Sequence, residues 1–172
     1  MIVEYIGPEE PLTVAEVKLH CRVDHDSEDD FFENVIIPGA RAMAEAKTGC
    51  AIREAKYRDE FDDIGVAVLA VGGVTEILEV TAEGAAITAY ESTIRAGRTT
   101  VYAEDYQGKP GTVTYQAGID LALHSSVKNW LLLACGYLYS QRELLYAGQA
   151  MQEMPQRYVD SLLSSIDLHA AI

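Results

Sequence analysis

The sequence has little positive charge. Its 172 residues include 13 lysines and arginines against 27 aspartates and glutamates, which gives a formal net charge of −14. Proteins that grip nucleic acid or anionic membranes need clusters of Lys and Arg. No basic run is present, and the densest basic spots are pairs such as Arg95 and Arg98. The composition therefore argues against a protein that holds DNA or a membrane surface.

Long hydrophobic runs and paired cysteines are also missing. The longest stretches without a charged residue are Ile64–Thr75 and Asn129–Gln141, and both are shorter than the ~18 residues that span a bilayer. Cys21, Cys50 and Cys135 are far apart, so they predict neither a zinc site nor a disulfide framework. Free thiols are typical of a reducing cytosol. We therefore expect no membrane span and no cross-link.

Motifs of catalysis are absent as well. The sequence contains no GxSxG, no HExxH and no phosphate-binding glycine loop. The acidic run that begins at Asp24 is not an EF-hand, because its sixth and twelfth positions hold Asp29 and Val35 instead of Gly and Glu. We predict no catalytic, cofactor-binding or metal-binding residue. Two alternatives stay open: a small acidic metal-dependent enzyme that uses Asp24, His25 and Asp26, and a cytosolic regulatory module that binds a partner helix.

What is present is an ordinary globular composition, with 49% hydrophobic and 23% charged residues. Residues 12–49 and 124–166 carry apolar side chains at helical spacing, whereas residues 55–117 contain short alternating runs. We predict an α+β fold that is mainly α, with about four helices and a small antiparallel β insertion between the second and third helices. The predicted parts are a body at 1–150, with helices at 13–21, 27–48 and 125–146 and the insertion at 55–117, and a C-terminal helix and tail at 151–172.

Local signals place several elements more closely. Thr13 and Glu16 form a capping box that predicts the start of the first helix. Pro38 lies within the second helix, where it should remove one backbone hydrogen bond and kink the helix. Gly72-Gly73, between two apolar runs, predicts a hairpin turn, and Gly84 predicts another. The third helix should be capped by Ser125 or Ser126.

The third helix is apolar nearly all the way round between Trp130 and Cys135. A soluble helix of this kind must be surrounded, so we expect part of its cover to come from another subunit. Ten tyrosines, which are favoured at interfaces, fit several contacts between subunits. The last helix has an apolar stripe that either packs on the chain itself or docks into a partner's groove.

Several short motifs together resemble one known family. Cys21–Asp26 reads CRVDHD, Ala44–Gly49 reads AEAKTG, and Tyr115–Gly118 reads YQAG. Tyr139–Glu143 reads YSQRE, and Met154-Pro155 precedes Leu162-Leu163. In order and spacing these motifs are similar to the head–tail connector family (adaptor, or head-completion, proteins) of long-tailed phages and gene transfer agents.

The resemblance implies a virion protein of the neck, assembled in the host cytoplasm. It implies a mainly helical protomer with a β insertion, and a closed homo-oligomeric ring of about twelve copies beneath the portal protein. Such a ring extends the DNA channel and offers a platform to the downstream neck, stopper or tail-completion protein. DNA would pass through without specific binding, and an acidic channel wall would repel its phosphates.

Three groups of residues follow as predicted sites. The oligomer interface or the protein core should include Trp130, Leu131, Tyr137, Tyr139, Arg142 and Glu143. Portal docking should use Pro155, Val159, Leu162, Leu163 and Ile166. The channel wall should be lined by Asp24, Asp26, Glu28, Asp29 and Asp30.

Overall fold

The chain folds into two compact units, one helical and one built of β-strands. A computed structural model describes residues 1–6, 9–141 and 156–169, without the side chains of residues 156–158. The helical unit comprises residues 10–47 and 120–165, and the β unit comprises residues 1–9, 48–119 and 166–172. Arg142, Glu143 and Pro155, which were predicted as site residues, lie outside the described residues.

In the described part of the helical unit, two helical segments are long and two are short. Thr13 caps the first helix as predicted, because its hydroxyl accepts from the Glu16 N–H at 3.3 Å while the Glu16 carboxylate accepts from the Thr13 N–H at 2.9 Å. The long C-terminal helix begins after His124, which makes no side-chain cap, so the prediction of a serine cap there was wrong. The elements are α1 (Val14–Cys21), α2 (Asp29–Phe31), a π-helical turn (Phe32–Ile36), α3 (Ile37–Thr48), α4 (Ser125–Ser140) and α5 (Gln156–Ser161).

The π-helical turn lies directly before Pro38. A proline has no N–H, so the carbonyl of Asn34 lacks the donor that a regular α-helix would supply. The N–H of Ile37 instead reaches the carbonyl of Phe32, five residues back, which is the spacing of a π-helix. The backbone hydrogen bonds thus change register between α2 and α3, close to Pro38, whereas the kink stays a prediction.

The β unit contains two antiparallel sheets. Its five-stranded sheet has the order β1-β2-β8-β4-β5, and its three-stranded sheet has the order β3-β7-β6. The two sheets share one core, in which Ala67 and Val101 from the smaller sheet pack with Val80, Val113 and Tyr115 from the larger one. The strands are β1 (Ile2–Tyr5), β2 (Ala55–Phe61), β3 (Val66–Val68), β4 (Val74–Ala82), β5 (Ala85–Ile87), β6 (Glu91–Arg95), β7 (Arg98–Tyr102) and β8 (Gly111–Ala117).

The prediction of a mainly α fold with a small β insertion was wrong. Of the described residues, 33% lie in helices and 30% in strands, and the eight strands among them form two sheets. One cause is β1, which lies at the N-terminal end of the chain and pairs with β2, far from it in sequence. The residues of β1 show no alternating pattern that would reveal a strand. The other is that the short runs of residues 55–117 pair with partners distant in sequence, such as β2 and β4 with β8.

The predicted hairpin at Gly72-Gly73 was also wrong. The strands on either side, β3 and β4, belong to different sheets, so these glycines connect the two sheets. Gly73 has a φ of +76°, and this left-handed conformation favours glycine. It occurs in hairpin turns and in other connections alike. The turn at Gly84 was predicted correctly, since it joins β4 to β5, which pair with each other.

Candidate interaction surfaces

Helix α4 contains four of the six residues predicted for the oligomer interface or the protein core. Trp130 and Leu131 are buried, with 3% and 1% of their surface exposed, while Tyr137 and Tyr139 are half-buried. The Tyr139 ring stacks on Phe32 with 4.7 Å between ring centroids. Its hydroxyl donates to Glu28 at 2.7 Å. Within the described residues, Trp130 and Leu131 are therefore buried in the single chain, and Tyr139 packs on Phe32 of the helical unit.

An ion pair joins α4 to α1. Lys128 on α4 donates to Glu16 at 2.5 Å, and Glu16 also accepts from Thr13 in the capping box. The hydrogen bond from Lys128, followed by that from the Thr13 backbone, lowers the pKa of Glu16 from 4.5 to about 2. The same carboxylate thus caps α1 and fixes its position against α4.

A buried arginine stabilises another part of the helical unit. Arg41, only 6% exposed, donates from Nε and Nη2 to the two carboxylate oxygens of Glu10, at 2.6 and 3.1 Å. Its Nη1 donates to Glu45, one turn further along α3, at 2.8 Å. A bidentate ion pair between arginine and a carboxylate is strong and geometrically specific. It holds the segment around residue 10 onto α3.

The predicted channel acids lie in the loop between α1 and α2 and in α2 itself. Lys18 contacts Asp26 at 2.6 Å and Asp29 at 2.7 Å. Its hydrogen bond lowers the pKa of Asp26 below the usual range. The contacts with Lys18 offset part of the negative charge of this loop. Of the five predicted acids, three are exposed and two half-buried: Asp24, Asp26 and Asp30, then Glu28 and Asp29.

No described arrangement of side chains resembles a metal site. His25 contacts the hydroxyl of Ser27 at 2.9 Å through Nδ1, and Asp26 binds Lys18. Within residues 1–6, 9–141 and 156–169, no group of three or more His, Cys, Asp or Glu side chains is placed to hold an ion. The alternative of a metal-dependent enzyme built on Asp24, His25 and Asp26 therefore gains no support from the geometry.

The C-terminal segment is packed against the chain. Val159, Leu163 and Ile166 are buried and Leu162 is half-buried. Within the helical unit, Asp160 of α5 pairs with Lys47 of α3 at 3.0 Å. The apolar stripe predicted for portal docking is therefore mostly covered in the single chain.

Leu168 fills a socket of glycines in the β unit. Gly49, Gly72 and Gly97, which we call the glycine socket, leave room for the Leu168 side chain, and a Cβ built on Gly72 or Gly97 would approach it within 2.9 or 2.8 Å. The Leu168 N–H donates to the Thr48 carbonyl at 2.9 Å. Leu168 is 3% exposed. This anchor was not predicted, because its three glycines are far apart in sequence.

The β unit also carries a groove that the sequence did not suggest. Its larger part, about 660 Å³, is lined mainly by apolar residues such as Leu78, Val80 and Ile87, together with Glu79. An adjoining part of about 400 Å³ is lined by acids and tyrosines. Thr88 and Tyr90 belong to both parts. The signal that could have revealed it is a repeated pairing of tyrosine with acid, at Tyr90-Glu91 and at Tyr102 with Glu104-Asp105.

Cys21, Cys50 and Cys135 all lie within the described residues. Burial raises the pKa of the Cys135 thiol to about 12 and raises that of Cys21 as well. All three cysteines are free thiols. Among the helices of the described residues, none combines the length and apolar character needed to cross a bilayer.

Comparison with known proteins gives a likeness in structure but not in sequence. No protein-family model and no curated protein matches the chain, whereas six chains of solved structures do. One belongs to the virion of a native gene transfer agent particle, with a TM-score of 0.71 and 17% identity, over 97% of this chain and 95% of that one. Another belongs to the neck of an empty gene transfer agent particle computed with C6 symmetry, with a TM-score of 0.64 and the same identity and coverage. The chain thus shares, over nearly its whole length, the fold of chains from gene transfer agent particles.

Proposed function

We propose that the protein is a structural component of a virion neck, where copies form a ring that joins the portal to the next neck or tail component. The observation that carries the proposal is the structural likeness over 97% of the chain to chains of a gene transfer agent virion and neck. A fold alone does not determine function. The proposal therefore also rests on the motifs at Cys21–Asp26 and Tyr139–Glu143, which resemble the head–tail connector family.

The net charge of −14 supports a passive role towards DNA. A ring multiplies that charge by its copy number, and a wall with a surplus of acids repels phosphate. DNA would then move through the ring without being bound. We propose no catalysis and no cofactor for this role, because it requires only a stable and correctly shaped ring.

Electron microscopy tests the assembly directly. The purified chain, alone and with its portal protein, should form a closed ring, and virions should contain it at the vertex that carries the tail. A monomer that does not assemble in either setting and is missing from particles would refute the proposal. A density map of the neck would also show whether Asp24 and Asp30 face the channel, as the proposed acidic wall requires.

We further propose that the segment that includes α5 docks onto the portal. Deleting this segment would confuse docking with stability, because Leu163 and Leu168 are buried in the chain. Leu162, which is only half-buried, offers a cleaner test. Leu162→Asp should weaken portal binding about ten-fold or more, as expected for a charge placed in an apolar contact.

The control for this test is Ser164→Asp, which adds the same charge at an exposed position two residues further on. Both variants should keep a cooperative thermal transition. If Leu162→Asp binds portal as well as Ser164→Asp does, the docking proposal is wrong. The packing of the stripe on its own chain would then be its whole role.

A further inference from the structure

The two ends of the β6–β7 hairpin carry side chains of opposite charge. At its open end Glu91 pairs with Tyr102, and at its turn Arg95 pairs with Arg98. Four residue steps separate the two ends of β6, a distance of about 14 Å at ~3.4 Å per residue. The acids of the groove therefore lie at one end of the hairpin and its two arginines at the other.

The groove has the chemistry of a site for a cationic side chain beside an apolar one. Its acidic part is lined by Glu91, Glu104 and Asp105 together with Tyr90 and Tyr102. A guanidinium binds both carboxylates and the faces of aromatic rings. In the part of the chain that the structure describes, none of these three carboxylates lies within ion-pair distance of a basic group.

The turn of the hairpin presents the complementary groups. Ile94 is 67% exposed, and Arg95 is exposed as well. Successive residues of a strand point to opposite faces. When the tip lies along the groove, Ile94 can therefore face the apolar part while Arg95 faces the acidic part. Like the groove carboxylates, Arg95 pairs with no acid among the described residues.

We propose that the hairpin tip of one copy, Ile94 with Arg95, docks into the groove of the next copy. This inference rests on the proposed ring and names one of its contacts. Because the tip and the groove are different surfaces of the same chain, the contact is head-to-tail, and head-to-tail contacts generate rings when the rotation closes. Because acidic residues outnumber basic ones in this chain, few basic side chains are available to bind the groove. This favours Arg95 as the partner of the groove.

Charge reversal tests the contact. Arg95→Glu places a carboxylate against the acidic groove, and Glu104→Arg places a guanidinium against the basic tip. Each variant should raise the concentration needed for half-assembly by about ten-fold or more, since like charges at an interface are strongly unfavourable. Mass photometry and sedimentation velocity at about 0.15 M salt measure this concentration.

Mixing the two variants gives the sharpest result. In an alternating ring, the carboxylate introduced at position 95 meets the guanidinium introduced at position 104, and at the next contact the unchanged Arg95 meets the unchanged Glu104. The mixture should therefore assemble within about three-fold of the wild-type concentration, although neither variant assembles well alone. The double variant Arg95→Glu/Glu104→Arg should behave like the mixture.

Two control variants on β2 match the changes in net charge. Arg58→Glu and Glu60→Arg alter exposed residues of the β unit outside the groove and the tip. They should change the half-assembly concentration by less than about three-fold. All variants should keep the thermal unfolding temperature of the wild type within a few degrees, which separates assembly from folding.

The outcomes distinguish this contact from the proposed ring itself. If the wild type does not assemble and is absent from particles, the neck function and the contact fall together. If the wild type forms a ring but the single variants match their controls, or the mixture does not recover, only the tip-and-groove contact is refuted. Loss of binding to another neck protein on Glu104→Arg, with ring formation intact, would likewise overturn it.

Discussion

Adding one methyl group to the glycine socket should destabilise the β unit. A Cβ at residue 72 would lie 2.9 Å from both methyl carbons of Leu168 and 3.2 Å from the Gly97 carbonyl oxygen. Buried overpacking of this size costs about 1–3 kcal/mol. We therefore expect Gly72→Ala to lower the free energy of unfolding by about 2 kcal/mol, a large part of the stability of a typical domain.

Removing the opposite side of the contact gives a second measurement. Leu168→Ala takes a side chain that is 3% exposed out of the socket, which should cost about 3 kcal/mol. In the double variant the methyl group introduced at position 72 enters the space that the leucine side chain has left. The combined cost should thus be about 2 kcal/mol smaller than the sum of the single costs, the sign expected of residues that compete for one volume.

Urea unfolding followed by circular dichroism measures all four proteins of this cycle. Gly136→Ala is the matched control, because its Cβ would meet His20 at ordinary distances of 3.5 and 3.6 Å. That glycine lies within α4, so alanine should stabilise the chain by up to about 1 kcal/mol. Additive costs for Gly72→Ala and Leu168→Ala would show that Leu168 does not occupy the socket in solution.

Three further predictions concern the helical unit. Arg41→Met should lower the free energy of unfolding by about 3 kcal/mol, because it leaves Glu10 desolvated without its two-pronged partner; urea unfolding at the stability of the wild type would contradict this. Glu16→Gln keeps a capping-box side chain but loses the charge that pairs with Lys128. Since the folded pKa of Glu16 is lowered to about 2, the wild type should exceed this variant in stability above pH 4.5. This gain in the free energy of unfolding should be at most about 1 kcal/mol, because the Glu16–Lys128 pair is partly exposed, and it should vanish as the pH falls towards 2. A stability difference between the two proteins that grows on acidification would refute the lowered pKa of Glu16. Cys135, whose pKa burial raises to about 12, should resist a thiol reagent at about pH 8, near the ordinary pKa of a free thiol, until the protein unfolds. Peptide mass spectrometry that finds native Cys135 modified as fast as a free thiol would contradict its burial.

Local signals in the sequence predicted local structure well. The capping box at Thr13 and the turn at Gly84 are each determined by residues close together in the chain. In these places one hydrogen bond or one positive φ decides the conformation. The prediction needed no knowledge of the rest of the fold.

Apart from the serine cap predicted for α4, which was a local error, partners distant in sequence caused the failures. The four residues of β1 carry too little pattern to reveal a strand, and only pairing with β2 makes them one. Gly72-Gly73 matched a hairpin turn by composition, yet the flanking strands find partners elsewhere. The glycine socket and its occupant come from segments far apart in the chain, so no window of the sequence contains them.

The order of the two units along the chain has a consequence for biosynthesis. The β unit is interrupted by residues 10–47 and again by residues 120–165, both of which belong to the helical unit. Since Leu168 follows all eight strands and α5, a ribosome delivers the occupant of the glycine socket only after both units have otherwise been made. In a nascent chain that stops before residue 168, the glycine socket is not filled. The β unit of such a chain would be less stable and more readily degraded by quality-control proteases.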